Sequence, residues 1–373
     1  MTTLTTRDTA EAVHLDEATG QELDAAAAQA FAGRMLGVLN DAAVAILTST
    51  GHQTGLFETM AALPAATSEQ IAAAADLDER YVREWLGGMT TARVVRYEPA
   101  TATYVLPREH AAVLTSAAGP NNMAILMQHV AMMGEVEQPT ITRFREGGGL
   151  SYADYPHFHR NMAETSAAVH DAALVDGILP LVPDLTDALA RGIDVADVGC
   201  GHGHAVNLMA RAFPASRFTG YDFSEVAITA ARREAAELGL TNARFEVVDV
   251  ARLTDDARFD LVTAFDAIHD QAQPAAVLAN VRRALAPGGT FLMVDIKASS
   301  LLERNLDLPW ASYLYAISTY HCMSVSLGLD GVGLGTAWGV ELAGAMLADA
   351  GFSEVEEKQV DADPFNAYFV ARR

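Results

Sequence analysis

The chain has 373 residues, half of them hydrophobic and one fifth charged, which predicts two packed domains and argues against wholesale disorder. Its formal net charge of −23 would repel phosphate backbones and anionic membranes, so nucleic acid and membranes are disfavoured as partners. The two cysteines, Cys200 and Cys322, are too few for a disulfide framework or a zinc site and fit a reducing cytoplasm.

Residues 1–22 lack the basic and apolar regions of a signal peptide, so we expect an N-terminal tail and a cytoplasmic protein. Two later stretches, Ala111–Gly134 and Leu308–Leu329, are uncharged and long enough to span a bilayer. Both are interrupted by polar side chains. They are therefore expected to form buried helices near a pocket.

Residues 23–118 show the pattern of a winged-helix domain. A short helix capped by Thr67 or Ser68 precedes a second helix at about 79–91, and two β-rich runs around a turn at 99–102 predict a hairpin. A DNA reader usually has a basic surface, but residues 66–118 hold five arginines and seven acids. We therefore expect a dimerisation domain of a homodimer, completed by a helical connector at 119–190 that lines the active site.

From Asp194 onward, apolar strands alternate with helices, which predicts an α/β domain with a parallel, doubly wound sheet over residues 191–373. The chain then ends with a helix and two strands that can pair as a hairpin. That hairpin places one antiparallel strand in the sheet.

The first strand of this domain leads into a glycine-rich turn. Gly199, Gly201 and Gly203 let the backbone approach a ligand closely, but their spacing differs from that of a dinucleotide-binding turn. Asp197, two residues before Gly199, suits a cationic ligand better than a pyrophosphate. The pattern indicates a ligand site whose ligand carries positive charge.

Two more acids follow at the ends of the next strands. Asp222 stands 19 residues after Gly203, where a carboxylate can accept both hydroxyls of a ribose. Asp249 follows the third strand, where a carboxylate can accept an adenine amino group. Acids at three successive strand ends, beside a glycine turn, indicate a nucleoside site.

Taken together, Asp197–Gly203, Asp222, Asp249 and Ala284–Gly289 resemble the motif series of class I S-adenosylmethionine-dependent methyltransferases. The resemblance implies a Rossmann-like, seven-stranded methyltransferase sheet, with S-adenosyl-L-methionine as cofactor and S-adenosyl-L-homocysteine as product. With its winged-helix region, the whole chain resembles bacterial methyltransferases of small molecules that dimerise through their N-terminal domain.

The same resemblance implies roles for individual residues around the cofactor. These are the three glycines at the methionyl part, Asp222 with the adjacent Phe223 at the ribose, Asp249 and Val250 at the adenine, and Phe265 and Asp266 beside the methionine ammonium.

His269 and Asp270 fall where plant-type O-methyltransferases place a catalytic His-Asp pair. Those enzymes continue with Trp, whereas this chain has Gln271, and the acids that orient their histidine are not evident in this sequence. His269 is the expected general base, since an unperturbed imidazole titrates near neutrality. Asp270 is expected to cap the following helix or to meet the substrate. Methyl transfer requires no metal.

Three alternatives stay open. An amine or thiol acceptor would need no base, a winged-helix regulator could bind the cofactor without catalysis, and a dehydrogenase would bind NAD instead. For the acceptor pocket, the expected residues are mostly aromatic and suit a flat aromatic molecule. They are Tyr155, Phe158, Met162, Trp310, Tyr313 and His321.

Overall fold

The computed structural model describes residues 23–360 and 363–373. The predicted tail at 1–22 lies outside these residues, and so do positions 361 and 362 between the two strands of the predicted hairpin.

The first described element is a long, apolar helix, α1, which spans Ala25–Gln53 and is capped by Asp24. All residues from 23 to 43 are exposed, and burial begins only near the end of the helix, around Ala45 and Thr48. By length and composition α1 could cross a membrane, and only 6% of its apolar 18-residue stretch is buried. The sequence predicts a helix at about 23–50 as part of the dimer interface, and α1 confirms that helix. It is not one of the two uncharged stretches, because it contains Arg34 and Asp41.

A winged-helix unit follows and confirms the predicted order of helices and hairpin. Thr67 and Gln70 form a capping box that starts the first helix of the pair, and Asp76 ends that helix in a left-handed conformation. Trp85 Nε1 donates to the Leu47 carbonyl (2.8 Å) and fixes the unit to α1. The elements are α2 (Leu56–Ala62), α3 (Ser68–Ala75), α4 (Glu79–Thr91), β1 (Arg96–Glu98), β2 (Thr103–Val105) and α5 (Arg108–Leu114).

Four helices connect this unit to the sheet: α6 (Met123–Glu135), α7 (Glu137–Glu146), α8 (Phe158–Ala173) and α9 (Leu185–Arg191). The Glu164 carboxylate on α8 lies 2.7 Å from His52 Nε2 on α1 and accepts a hydrogen bond from Gln128 on α6, also at 2.7 Å. This network holds the end of α1 against the two helices that cover the sheet.

The C-terminal sheet has seven strands in the order β5-β4-β3-β6-β7-β9-β8. The first five are parallel, and β9 is antiparallel to both of its neighbours, as the sequence predicts. The strands are β3 (Asp194–Val198), β4 (Arg217–Asp222), β5 (Ala243–Val247), β6 (Phe259–Phe265), β7 (Leu285–Ile296), β8 (Ser353–Val360) and β9 (Asp363–Arg372).

Helices cover both faces of the sheet, so successive strand residues such as Leu261 and Val262 enter two separate apolar cores. The second uncharged stretch is helical and contains a π-helical turn at Ser318–Cys322. Pro274 is the first residue of the helix Pro274–Ala284, as predicted. The helices are α10 (His204–Ala212), α11 (Glu225–Glu237), α12 (Pro274–Ala284), α13 (Ala311–Ile317), α14 (Met323–Gly328) and α15 (Val340–Asp349).

The strand order reverses beside β3, since the chain goes from β3 to β4 on one side and returns to β6 on the other. In open α/β sheets, the carboxyl ends of the strands at such a reversal form a crevice that binds ligands. The connector helices α6 and α8 lie over this edge and close it from above.

Candidate active site

A cavity of about 330 Å³ lies between the connector helices and the carboxyl edge of the sheet. That volume is within the range of small-molecule sites. Among the described residues that line it there is no lysine or arginine, but there are five aspartates. The cavity therefore favours a cationic or neutral ligand over an anion. The five acids are Asp197, Asp222, Asp266, Asp270 and Asp363.

The glycine turn forms one wall of the cavity. Gly199 has φ 72°, its N–H donates to the Tyr221 carbonyl (2.8 Å), and a Cβ there would lie 2.5 Å from the Ala267 Cβ. Gly201 has φ 52°, yet a Cβ on it would meet nothing within 4 Å. At Gly201 the turn therefore exposes backbone that no neighbouring side chain covers. Gly203 is the N-cap of α10.

Asp222 ends β4 beside this turn, as predicted. Its two oxygens accept backbone N–H groups of Gly201 (2.9 Å) and Ser224 (2.8 Å). Burial raises the pKa of Asp222, while these two hydrogen bonds oppose the rise. The hydrogen bonds fix the carboxylate on the cavity wall, and each oxygen keeps a lone pair for a ligand hydroxyl. Phe223, the next residue, also lines the cavity.

The two residues predicted to bind adenine, Asp249 and Val250, differ in their position relative to the cavity. Val250 is buried and lines the cavity. Asp249 lies two residues beyond β5, not at its end; its carboxylate accepts from the Ala251 N–H (3.0 Å) and lies 3.4 Å from Arg252. Because this carboxylate caps a short helical turn outside the cavity wall, a contact between Asp249 and adenine stays a prediction.

At the end of β6, Phe265 and Asp266 line the cavity, and their position beside the methionine ammonium stays a prediction. Asp266 has φ 49°, a left-handed conformation uncommon outside glycine, and its buried Oδ1 has no hydrogen-bond partner among the described residues. Burial, together with the nearby Asp295, raises the pKa of Asp266 to about 8. An unpaired buried carboxyl oxygen of this kind suits an ammonium group of a ligand.

Asp197 is buried below the turn, where it accepts a hydrogen bond from Thr263 Oγ1 (2.7 Å). Burial raises its pKa to about 7. Asp197, Asp222 and Asp266 thus line the cavity together, whereas the sequence predicts Asp249 as the third acid beside the glycine turn.

His269 is buried in the loop after β6, and its Nδ1 lies 2.7 Å from Asp295 Oδ1 on β7. The same oxygen accepts hydrogen bonds from Trp338 Nε1 (3.0 Å) and the Ile296 N–H (2.8 Å). Burial alone would lower the pKa of His269, but the charge of Asp295 and its hydrogen bond to the ring raise that pKa well above its ordinary value. This geometry fixes the ring and leaves Nε2 for another partner.

Asp270 also lines the cavity and accepts a hydrogen bond from the Tyr152 hydroxyl (3.1 Å). Burial raises its pKa to about 6. The expectation that it caps the following helix is wrong, because Gln273 occupies the N-cap of α12 without a side-chain cap. Asp270 faces the ligand space instead.

The predicted acceptor residues separate into two groups. Phe158, Met162, Tyr313 and His321 line the cavity, and the Phe158 and His321 rings stack with centroids 3.9 Å apart. Tyr155 does not line it, because its hydroxyl donates to the Tyr320 carbonyl behind the wall. Trp310 is likewise absent from the wall and packs on Phe365, which lines the cavity. A direct substrate contact by Tyr155 or Trp310 is therefore unsupported.

Sequence reasoning missed several residues of the site. Asp295 orients His269, Tyr152 meets Asp270, and His129 lies 2.6 Å from the Tyr313 hydroxyl through its Nδ1. One signal was available for Asp295, which is a lone acid near the end of an apolar strand. No local pattern marks the others. Among residues 23–360 and 363–373, no group of histidine, cysteine, aspartate or glutamate is arranged to hold a metal ion.

Comparison with known families and structures agrees with this description. A family described as "Rv2258c-like winged HTH domain" matches residues 42–116, and a family described as "Methyltransferase domain" matches residues 189–323. The second match contains the glycine turn, Asp222 and His269.

Similar proteins point to the same class. A fatty-acid O-methyltransferase of Mycolicibacterium smegmatis is 33% identical over 107 residues, which is 29% of this chain and 38% of that protein. The chain thus spans less than half the length of the first curated relatives it matches.

Two solved structures share the overall fold. A protein of Nostoc punctiforme described as an O-methyltransferase has a TM-score of 0.70 at 17% identity, and the match covers 91% of this chain and 98% of that one. Human N-acetylserotonin methyltransferase in complex with S-adenosylmethionine has a TM-score of 0.67 at 15% identity, with 92% and 97% covered. The chain thus carries a winged-helix domain and a methyltransferase domain, and it shares its overall fold with S-adenosylmethionine-dependent methyltransferases.

Proposed function

We propose that this chain transfers a methyl group from S-adenosylmethionine to a hydroxyl group of a small molecule, with His269 as the general base. The observation that carries the proposal is the His269–Asp295 pair (2.7 Å), which adjoins the same cavity as the glycine turn and Asp222. The base and the cofactor residues thus share one enclosed space.

The residues around the glycine turn fit the cofactor. The bare backbone at Gly201 and the fixed Asp222 carboxylate suit a nucleoside, and the unpaired Asp266 oxygen suits the methionine ammonium. Asp197, Phe223, Val250 and Phe265 complete the proposed set. When bound, S-adenosylmethionine supplies an electrophilic methyl group on a sulfonium.

His269 would take the proton of the acceptor hydroxyl on Nε2, since Nδ1 faces Asp295. The Asp295 carboxylate stabilises the imidazolium that forms, and Trp338 and the Ile296 N–H hold that carboxylate in place. The apolar walls keep water away from the reacting atoms, and Phe158, Met162, Tyr313 and His321 would hold the acceptor. Asp270 and Tyr152 offer a polar contact to it.

An amine or thiol acceptor is the second candidate, because such nucleophiles can react without a base. The pair of His269 and Asp295 favours the hydroxyl, since an oriented buried base has no evident use with a free amine. The test combines a panel of phenols, amines and thiols with S-adenosylmethionine and measures S-adenosylhomocysteine release. Release with phenols that depends on His269 supports the proposal, whereas release with amines alone contradicts it.

We also propose a cytoplasmic homodimer in which a second copy covers α1. Residues 23–43, which include most of α1, are all exposed, and Phe31, Leu36 and Leu39 among them would otherwise face water. The chain as a whole carries a net charge of −23, whereas α1 is nearly uncharged. The exposed part of α1 is therefore an apolar surface on an otherwise acidic chain. A second copy presents the same surface and would bury both.

The domain division that we propose assigns dimerisation to residues 23–118, the active-site cover to 119–190 and methyl transfer to 191–373. A regulatory role in which the winged helix binds DNA is disfavoured, because α4 pairs its arginines with its own acids. Arg80 lies 2.5 Å from Glu84, and Arg83 lies 3.5 Å from Glu79.

A further inference from the structure

Two tyrosine hydroxyls lie on the acceptor side of the cavity, and each is bound to a second side chain of the wall. The Tyr313 hydroxyl on α13 lies 2.6 Å from His129 Nδ1 on α6. The Tyr152 hydroxyl, from the short helical turn between α7 and α8, donates to Asp270 Oδ2 (3.1 Å). All four residues line the cavity. What these tyrosines offer to a ligand depends on where each hydroxyl proton lies.

The surroundings of His129 fix the position of its ring proton. The ring is buried, and burial lowers its pKa to about 4, so the ring is neutral at neutral pH and carries one N–H. Thr165 Oγ1 lies 3.5 Å from Nε2 and donates its own proton to the Asn161 carbonyl (2.9 Å). Because a hydroxyl has a single proton, Thr165 can only accept from His129. The ring proton therefore lies on Nε2.

The Tyr313 hydroxyl is then the donor to His129, because Nδ1 of a neutral ring with its proton on Nε2 can only accept. The distance of 2.6 Å agrees, since an N–H donor usually lies about 2.7–3.2 Å from its acceptor. With its proton directed to His129, the Tyr313 oxygen offers only lone pairs to the cavity. Tyr152, whose proton is directed to Asp270, likewise offers only lone pairs. At both positions a ligand has to supply the proton.

We propose that Tyr313 is a specificity-determining residue, which selects flat acceptors with a second hydroxyl or amino group besides the hydroxyl that is methylated. This inference rests on the proposed function, because it assigns the first hydroxyl to His269 and the second group to Tyr313. The substrate class is therefore an uncharged aromatic compound with two or more hydrogen-bond donors. The described lining residues include no lysine or arginine, so an anionic compound would find no partner among them.

Discrimination at Tyr313 follows from the direction of its proton. A ligand hydroxyl or amino group can donate to the Tyr313 oxygen, whereas a fluorine atom would bring its lone pairs against those of the oxygen. Neither atom would then be hydrogen-bonded, and a site that is built to bond one group rejects an analogue that lacks the required proton. Fluorine and the amino group are close to a hydroxyl in size, so exchanging them changes the donor and nearly preserves the shape.

The test measures binding of dihydroxynaphthalene isomers to the full chain by calorimetry, with excess S-adenosylhomocysteine, which permits no methyl transfer. For each isomer, the aminonaphthol and the fluoronaphthol with the same substitution pattern are the matched ligands. We expect at least one isomer to bind roughly three- to tenfold more tightly than its fluoronaphthol, which is the effect of one hydrogen bond. The corresponding aminonaphthol should keep most of that gain.

Three variants assign the preference to one hydroxyl. Tyr313→Phe should abolish the preference for hydroxyl over fluorine. His129→Leu removes the group that takes the Tyr313 proton, so this hydroxyl can then donate, and the matching methoxynaphthol should bind about threefold more tightly than it binds the parent. Tyr315→Phe is the control on the same helix and should keep the preference, because the Tyr315 hydroxyl accepts from Asn305 Nδ2 (3.1 Å) and does not line the cavity.

Equal affinities for the hydroxyl and fluorine ligands of every isomer overturn the proposal, and so does a preference that persists in Tyr313→Phe. Failure of every dihydroxynaphthalene to bind overturns it as well. If Tyr313→Phe does not fold, the methoxynaphthol comparison in His129→Leu decides. Methyl transfer to phenols without this preference would leave the proposed function intact and remove the inference, whereas the preference without any methyl transfer from S-adenosylmethionine would contradict the proposed function alone.

Discussion

Asp222 is the residue on which cofactor affinity is expected to depend most. Its oxygens are fixed by Gly201 and Ser224, so a ribose would find them already oriented. Asp222→Ala should weaken S-adenosylhomocysteine binding by about ten- to a hundredfold, the effect of losing a charge-assisted hydrogen-bond partner of roughly 1.5–3 kcal/mol. Calorimetry measures this directly.

Asp249→Ala is the matched control for Asp222, because its carboxylate caps a turn outside the cavity wall. We expect a smaller loss of affinity for that variant. Equal losses would place the Asp249 carboxylate in the site after all, and unchanged affinity in Asp222→Ala would remove Asp222 from it.

His269 should determine the rate rather than cofactor binding. General-base catalysis contributes about 10²–10⁴-fold, so His269→Ala should lower kcat by a factor of that order with any acceptor found in the panel. S-adenosylhomocysteine affinity should stay nearly intact. A variant that keeps most of its kcat would contradict the role of His269 and would favour an acceptor that needs no base.

The pH dependence of kcat should be sensitive to the contact between His269 and Asp295. A base must be unprotonated, so the rate should fall as the pH drops below the pKa of His269, which Asp295 holds above its ordinary value. Asp295→Asn removes the charge that stabilises the imidazolium, so the fall should move to lower pH. A pH–rate profile of kcat tests this, and an unmoved profile would exclude Asp295 as the orienting acid.

Asp266, which lines the same cavity, should make cofactor affinity depend on pH. Its pKa of about 8 means that it is largely protonated at neutral pH, and an ammonium group needs the carboxylate. S-Adenosylhomocysteine binding should therefore weaken by up to about tenfold per pH unit below pH 8. Calorimetry at several pH values measures the slope.

Two comparisons isolate the contribution of Asp266. 5′-Methylthioadenosine lacks the amino-acid part of the cofactor, so its affinity should change little over the same range. Asp266→Asn should flatten the slope for S-adenosylhomocysteine. A steep slope that persists in this variant would assign the effect to another group of the cavity, such as Asp197, whose pKa burial raises to about 7.

At the scale of elements, α1 is the helix that most needs a partner. Leu36 and Leu39 are 60% and 66% exposed, and replacing both by glutamate places like charges where two copies would meet. We expect the double variant to be monomeric by light scattering while the parent is a dimer. Phe144→Glu, on the exposed side of α7, is the control and should leave the dimer intact.

A parent that is monomeric would contradict the dimer, and α1 would then need another occupant. Binding of the monomer to neutral lipid vesicles, lost in the Leu36→Glu/Leu39→Glu variant, would identify a membrane in that place. A dimer that persists in the double variant would put the interface elsewhere on the chain.

For the whole molecule, net charge decides which partners approach. With 48 acids against 25 basic residues, the chain repels nucleic acid at long range, and its winged helix pairs its arginines with neighbouring acids. Mobility-shift experiments with genomic fragments should show no complex at low salt. A tight, salt-sensitive complex would overturn this prediction and revive the regulatory alternative.

The sequence predicts the fold because its signals are local. The alternation of strands and helices from Asp194, the glycine turn and Asp222 at a strand end follow from residue type and period alone, and the structure confirms each of them. The winged-helix elements were equally predictable, since a capping box and a hairpin turn are set by neighbours a few residues apart.

By itself, the sequence determined the strands and helices, the class of sheet and the position of the glycine turn, since these depend on short-range sterics and periodicity. Tertiary structure alone decided which side chains meet. Asp295 reaches His269 because β6 and β7 are adjacent, and Trp338 and Tyr152 arrive from distant parts of the chain. The same packing places the Asp249 carboxylate outside the cavity and leaves α1 exposed. Both results depend on which residues become neighbours when the helices and strands pack together, and local sequence does not contain that information.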